Sequence, residues 1–127
     1  MKHTYLNNLA DKIHTDAVNN GFYDDKRQVG TLLMLVVSEL SEALEADRNR
    51  LYNNSDTALP DKIPGINTKK FPQWFKDNVK NTFNDEIADA IIRLLDICGY
   101  FGIDIDRHIQ LKLAYNKTRG YKHGKNY

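Results

Sequence analysis

Two pairs of acidic residues, each three positions apart, stand inside otherwise apolar stretches: Glu39 and Glu42 in VSELSEALEA, and Glu86 and Asp89 in NDEIADAIIRLLD. Helical neighbours lie three or four positions apart, so each pair puts two carboxylates on one face. At roughly 100° per helical residue, Leu32, Leu35, Ala43 and Ala46 surround the two glutamates, and Leu33, Val37, Leu40 and Leu44 form the adjoining apolar face. Glu39 and Glu42 therefore fall on the buried-looking side, and Glu45 points further round towards solvent. Glu86 has Phe83, Ala90 and Ile97 as face neighbours, and Asp89, Arg93, Asp96 and Tyr100 continue along the polar edge of that face. Four carboxylates turned into a helical interior repel one another and resist desolvation, and a hard divalent cation relieves both problems. Without one they require raised pKa values or basic partners. The bland alternative is a set of solvated charges with local ion pairs, such as Asp89 with Arg93, worth about 0.2–0.5 kcal/mol. Two matched pairs among Leu, Ile and Ala favour the metal.

The donor set selects the ion. A di-iron bundle would place Glu-x-x-His motifs on two helices, and none of His3, His14, His108 and His123 follows a glutamate by three positions. All-oxygen ligands point to Mg²⁺, with Mn²⁺ as a substitute. Mg²⁺ keeps waters and binds phosphate oxygens, which fits a phosphate ester better than redox chemistry.

These residues need helices to position them. Leu6, Leu9, Ile13 and Ala17 predict a first helix over residues 4–19, stopped at Asn19-Asn20-Gly21. A second helix is expected from about Gln28 to Tyr52. All three prolines, Pro60, Pro64 and Pro72, fall in residues 53–75, read as a loop or insertion in which Trp74 and Phe75 begin the next helix or a short preceding one. A third helix is expected over at least residues 83–98, with Gly99 and Gly102 bracketing its end. Asp104 can cap a fourth helix running to about Thr118, followed by a polar tail over 120–127. No strand pattern and no repeat is visible. The expected fold is all-α, a single domain over residues 1–127, built as an antiparallel bundle of about four main helices with a long crossover.

Bulk properties narrow the function classes. A chain of 127 residues with 18 basic and 17 acidic side chains fits one core and gives no electrostatic sign of a nucleic-acid or membrane-surface binder. Cys98 is the single cysteine, excluding an internal disulfide and fitting a reducing, cytoplasmic setting. The start, MKHTYLNNLADK, is too polar for a signal peptide, and no apolar run reaches the length of a membrane span. From Leu111 onward there are five cations, Lys112, Lys117, Arg119, Lys122 and Lys125, and no acid. Lys112 and Asn116 lie one turn apart, with Arg119 at the helix end. Such a cluster suits a phosphate chain, since Arg forks to two oxygens and Lys supplies a mobile charge. Taken alone it equally describes a frayed, solubilising terminus.

The order ELSE, DEIAD, KLAYNKTRGYKHGK resembles the MazG-like nucleoside triphosphate pyrophosphohydrolases of the all-α NTP pyrophosphatase superfamily, whose hallmark is an ExxE pair followed by an ExxD pair. The likeness extends to the lead-in GFYDDKRQVGTLLMLVVSELSEALEADR and covers most of the chain outside residues 53–75, a stretch longer than compact members carry. The resemblance implies a helical fold completed by pairing with further subunits, as a homodimer or homotetramer. It also implies hydrolysis of a (deoxy)nucleoside triphosphate to the monophosphate and pyrophosphate. It assigns Glu39, Glu42, Glu86 and Asp89 to Mg²⁺, and Lys112, Asn116 and Arg119 to phosphate contacts. On this reading Glu39 or Glu42 activates or orients the attacking water, while Lys112, Arg119 and Lys125 stabilise the leaving group. Phe22, Tyr23, Trp74 and Tyr115 are candidates to stack on a base, but core or interface aromatics explain each of them more simply. His14 reads as a helix-surface residue and Cys98 as a small buried apolar group. Two other readings stay open: a non-catalytic helical assembly module, which gives no pyrophosphate, and a dUTPase-like phosphohydrolase of the same superfamily, which shares the ligands and differs in substrate.

Overall fold

A computed structural model describes residues 4–53, 59 and 69–120 of the chain. The turn signals at Pro60 and Pro64, His3, His123, Lys122, Lys125 and nearly all of the polar tail lie outside the described residues. Among those described, every regular element is helical: α1 (Tyr5–Asn19), α2 (Val29–Arg48), α3 (Lys70–Asn78), α4 (Phe83–Phe101) and α5 (Ile105–Lys117). No helix among them is long and apolar enough to cross a membrane.

Local chemistry explains several of the helix boundaries. The chain leaves α1 through Gly21 in the left-handed region (φ +84), as the Asn-Asn-Gly signal predicts. α2 ends at Arg48, four residues short of the expected Tyr52. Arg50 takes a left-handed conformation (φ 55), and Leu51 N–H reaches back to Ala46 O at 2.9 Å, closing the last carbonyls. α3 is the short preceding helix offered for Trp74 and Phe75, and it begins at Lys70, earlier than the loop reading of residues 53–75 allows. Pro72 stands in its first turn, where backbone N–H groups have no intrahelical partner to lose. α4 opens on a reciprocal cap: Thr82 Oγ1 accepts from Asp85 N–H at 3.2 Å while Asp85 Oδ2 accepts from Asn81 N–H at 3.0 Å. It ends at Gly102 (φ +64), with Ile103 N–H bonded to Cys98 O at 2.9 Å. Gly99 lies inside α4 rather than bracketing its end. Asp104 caps α5 as expected, accepting from Arg107 N–H at 3.1 Å.

The chain divides into two compact units, Arg27–Arg93 and the combination of Met1–Lys26 with Leu94–Tyr127, and α4 contributes to both. In the second unit Ala10, Leu95 and Cys98 form a buried cluster backed by Leu6, Leu9, Ile13 and Ile105. Gly99 is required there, because a Cβ at this position would stand 2.6 Å from His14 Cβ and 2.7 Å from Ala10 O. Asn7 ties α1 to the start of α5: Asp106 Oδ2 accepts from its backbone N–H at 2.8 Å, and Asp104 Oδ1 accepts from its side-chain amide at 2.8 Å. The first of these bonds gives the buried Asp106 carboxylate a donor.

In the Arg27–Arg93 unit, α2 and the first half of α4 run antiparallel. Leu51 O accepts from Phe83 N–H at 2.7 Å, and Glu39 meets Arg93 at 2.6 Å, so pairing descends one helix as it climbs the other. The buried stripe of α2 is Leu32, Val36, Glu39, Ala43 and Ala46, at alternating steps of four and three. The stripe one residue on, Leu33, Val37, Leu40 and Leu44, repeats that spacing yet is 46–49 % exposed. Glu39 thus sits inside the apolar stripe that α2 buries.

Candidate metal centre

The antiparallel pairing brings the two acidic pairs to one place. Glu39, Glu42 and Glu86 each offer a carboxylate oxygen within 4.8 Å of the others, and Glu86 shares a second such group with Asp85 and Asp89. Glu39 and Glu86 are buried, at 7 % and 4 % exposure, whereas Glu42 is exposed and Asp89 half-buried. The exposure of Glu42 corrects the placement of both ELSE glutamates on the buried side. The covered stripe passes through positions 39, 43 and 46, and Glu42 stands at its margin, reaching inward with its side chain.

The electrostatics follow from this crowding. Burial pushes the Glu86 carboxyl up, the hydrogen bond and charge of Glu42 add to it, and Asp89 and Asp85 add more, leaving it at about 7 rather than the ordinary 4.5. Asp89 is raised by burial and by the charges of Asp85, Glu39 and Glu42, with Arg93 opposing them. Glu39 is also raised by burial, but the Arg93 hydrogen bond, a bond with Glu42 and the Arg93 charge bring it below 4.5. Glu86 Oε2 is buried with no hydrogen-bond partner. A buried carboxylate oxygen without a donor is costly, and a cation held between the carboxylates would satisfy it. The donors are all hard oxygens from four to five carboxylates, so the residues present fit a divalent ion such as Mg²⁺ or Mn²⁺.

Two members of this centre go beyond the residues that spacing singles out. Asp85 joins Glu86 and Asp89, and the available signal is its four-residue spacing from Asp89. Arg93 has Asp89 as a local option along its own helix. Its ion pair instead crosses to α2, where Nε donates to Glu39 Oε1 at 2.6 Å. Glu45 is solvated and pairs loosely with Arg48 at 3.8 Å. Asp96 belongs to the other unit, where its buried carboxylate accepts from Tyr23 OH at 2.6 Å and meets His14 Nδ1 at 2.9 Å. His14 packs edge-on to Tyr23 and Tyr100. It is therefore a partnered, half-buried residue rather than a surface one.

The basic residues lie in that second unit as well. Lys112 Nζ and Arg119 Cζ stand 5.2 and 5.6 Å from the ring centre of Tyr115, which is 57 % exposed between them. Asn116 is half-buried, and its side-chain Oδ1 has no hydrogen-bond partner. Lys125 lies outside the described residues. Of the candidate stacking aromatics, Trp74 lies against Phe71 within α3 at 6.3 Å, Phe22 packs edge-on to Tyr23 at 5.0 Å, and Tyr23 stacks on Tyr100 at 5.1 Å. Comparison of the chain with protein-family models, curated proteins and solved structures found no match.

Proposed function

We propose that the chain is a Mg²⁺-dependent hydrolase of (deoxy)nucleoside triphosphates that releases the nucleoside monophosphate and pyrophosphate. One observation carries the reading: carboxylates from α2 and α4 converge within 4.8 Å around Glu86, whose buried Oε2 has no partner. Glu39, Glu42, Glu86 and Asp89 hold the ion, which when bound supplies charge neutralisation at phosphate oxygens and acidifies a water. Of the ELSE pair, Glu42 is the one assigned to orient the attacking water. It is exposed, whereas Glu39 is engaged by Arg93 and kept more acidic than usual. Attack of the water on the α-phosphorus expels pyrophosphate. Reading Lys112, Asn116, Arg119 and Lys125 as phosphate contacts rests on their chemistry and on the family resemblance.

The same proposal includes a homo-oligomer, dimer or tetramer, and a cytoplasmic setting. The exposed α2 stripe of Leu33, Val37, Leu40 and Leu44 has the a/d-like spacing that a partner helix would cover. That stripe also favours a second reading, a helical assembly module without catalysis. Incubating the protein with a panel of nucleoside triphosphates, in Mg²⁺ and in chelator, separates the two. Magnesium-dependent appearance of monophosphate and pyrophosphate is expected. Orthophosphate as first product, or turnover undiminished by chelator, would overturn the assignment, and a preference for deoxyuridine nucleotides would move it to the dUTPase-like branch.

A further inference from the structure

Arg93 takes no part in the hydrolysis proposed above, yet it makes the shortest polar contact in the centre. Its Nε donates to Glu39 Oε1 at 2.6 Å, and its charge acts on Asp89 as well. The contact uses Nε, so the two terminal amino groups of the guanidinium lie outside it, and the side chain is 33 % exposed. A guanidinium and a divalent cation seek the same Glu39 carboxylate and repel one another across it. An arginine that gives up a carboxylate still carries a planar fork suited to phosphate oxygens.

Resting on the metal-dependent reading above, we infer that Arg93 is the centre's internal counter-cation: it competes with the divalent ion for Glu39 and is handed to the phosphate chain when ion and polyphosphate arrive together. Arg93 then opposes the bare ion and favours the ion–polyphosphate complex, so the site discriminates against metal alone. The effect of Arg93 therefore changes sign with the ligand. A purely structural arginine, or one that only orients Glu39 for the metal, shifts both ligands in one direction.

Calorimetric titration of the whole chain with Mn²⁺ alone, and separately with preformed manganese–pyrophosphate, tests this in wild type, Arg93→Gln and Arg93→Lys. Arg93→Gln is expected to bind Mn²⁺ alone about tenfold more tightly than wild type, and manganese–pyrophosphate about tenfold more weakly. Arg93→Lys, which keeps the charge without the fork, should match wild type for Mn²⁺ and lose affinity for the pyrophosphate complex. Far-UV circular dichroism establishes that both variants are folded. Equal or weaker Mn²⁺ binding by Arg93→Gln, or the same change for both ligands, overturns the inference while leaving the metal centre standing. Failure of wild type to bind Mn²⁺ in either form removes the metal reading itself, and this inference with it.

Discussion

Replacing Glu86 by glutamine should make the protein more stable in chelator while removing its response to divalent metal. The side chain is 4 % exposed and its carboxyl is raised from 4.5 to about 7 by burial and by the charges of Glu42, Asp89 and Asp85. In the unfolded chain it titrates near its ordinary value, so below about pH 4.5 both states are protonated and there is no penalty. As pH rises from there towards 7 the folded state binds more protons than the unfolded one, and stability falls. Above 7 the penalty is complete, and the rise from 4.5 to about 7 corresponds to about 3 kcal/mol. Glutamine keeps the size and removes the charge, but its amide is itself a buried polar group, so a net gain of about 1–3 kcal/mol is expected at pH 8. For a chain of this length that is roughly 3–10 °C in melting temperature. Thermal melts of wild type and Glu86→Gln at pH 4.5 and 8, with EDTA and with excess Mg²⁺, measure this. The variant should melt higher at pH 8 in EDTA, no higher than wild type at pH 4.5, and gain nothing from Mg²⁺, which raises wild type. A variant no more stable than wild type at pH 8, or one equally advantaged at both pH values, refutes the reasoning about Glu86.

Gly99→Ala should lower stability by about 1–3 kcal/mol despite alanine's better helix propensity, because the new Cβ meets backbone at Ala10 and cannot push it aside; a denaturant midpoint unchanged from wild type would contradict this. Leu40→Lys should shift the protein to a smaller species in light scattering coupled to size exclusion, since it charges the exposed apolar stripe of α2; an identical mass would dismiss that stripe as the subunit contact. Lys112→Gln should lower kcat/KM for the triphosphate roughly tenfold or more, the worth of one charge-assisted phosphate bond; an unaltered kcat/KM would remove Lys112 from the phosphate contacts.

How much a sequence discloses depends on the range of the interaction. The helical character, the stop at Gly21 and the Asp104 cap are short-range effects, decided by neighbours within a few positions, and each is legible. The convergence of Glu39 with Glu86 is legible because each acidic pair is flanked by apolar residues that fix which face turns inward. The partner of Arg93 is hidden for the opposite reason. Its local option, Asp89, is visible four positions away, whereas Glu39 is 54 positions away in sequence and becomes a neighbour only once α2 and α4 pair. His14 looks like a surface residue on the same grounds, its partner Asp96 lying 82 positions on. Pro72 weighs against helix in a sequence reading where it is in fact neutral, because a first-turn N–H has nothing to lose. The stripe at Leu33, Val37, Leu40 and Leu44 is ambiguous in another way. Helical spacing marks an apolar face identically whether the chain's own core or another surface covers it.

A crystal of the protein soaked with Mn²⁺ and probed by anomalous diffraction tests the acidic centre most directly. A peak bonded to carboxylate oxygens of Glu39, Glu42, Glu86 and Asp89 is the expected result. A map with no peak between α2 and the first half of α4, or with manganese held elsewhere by other side chains, would contradict it.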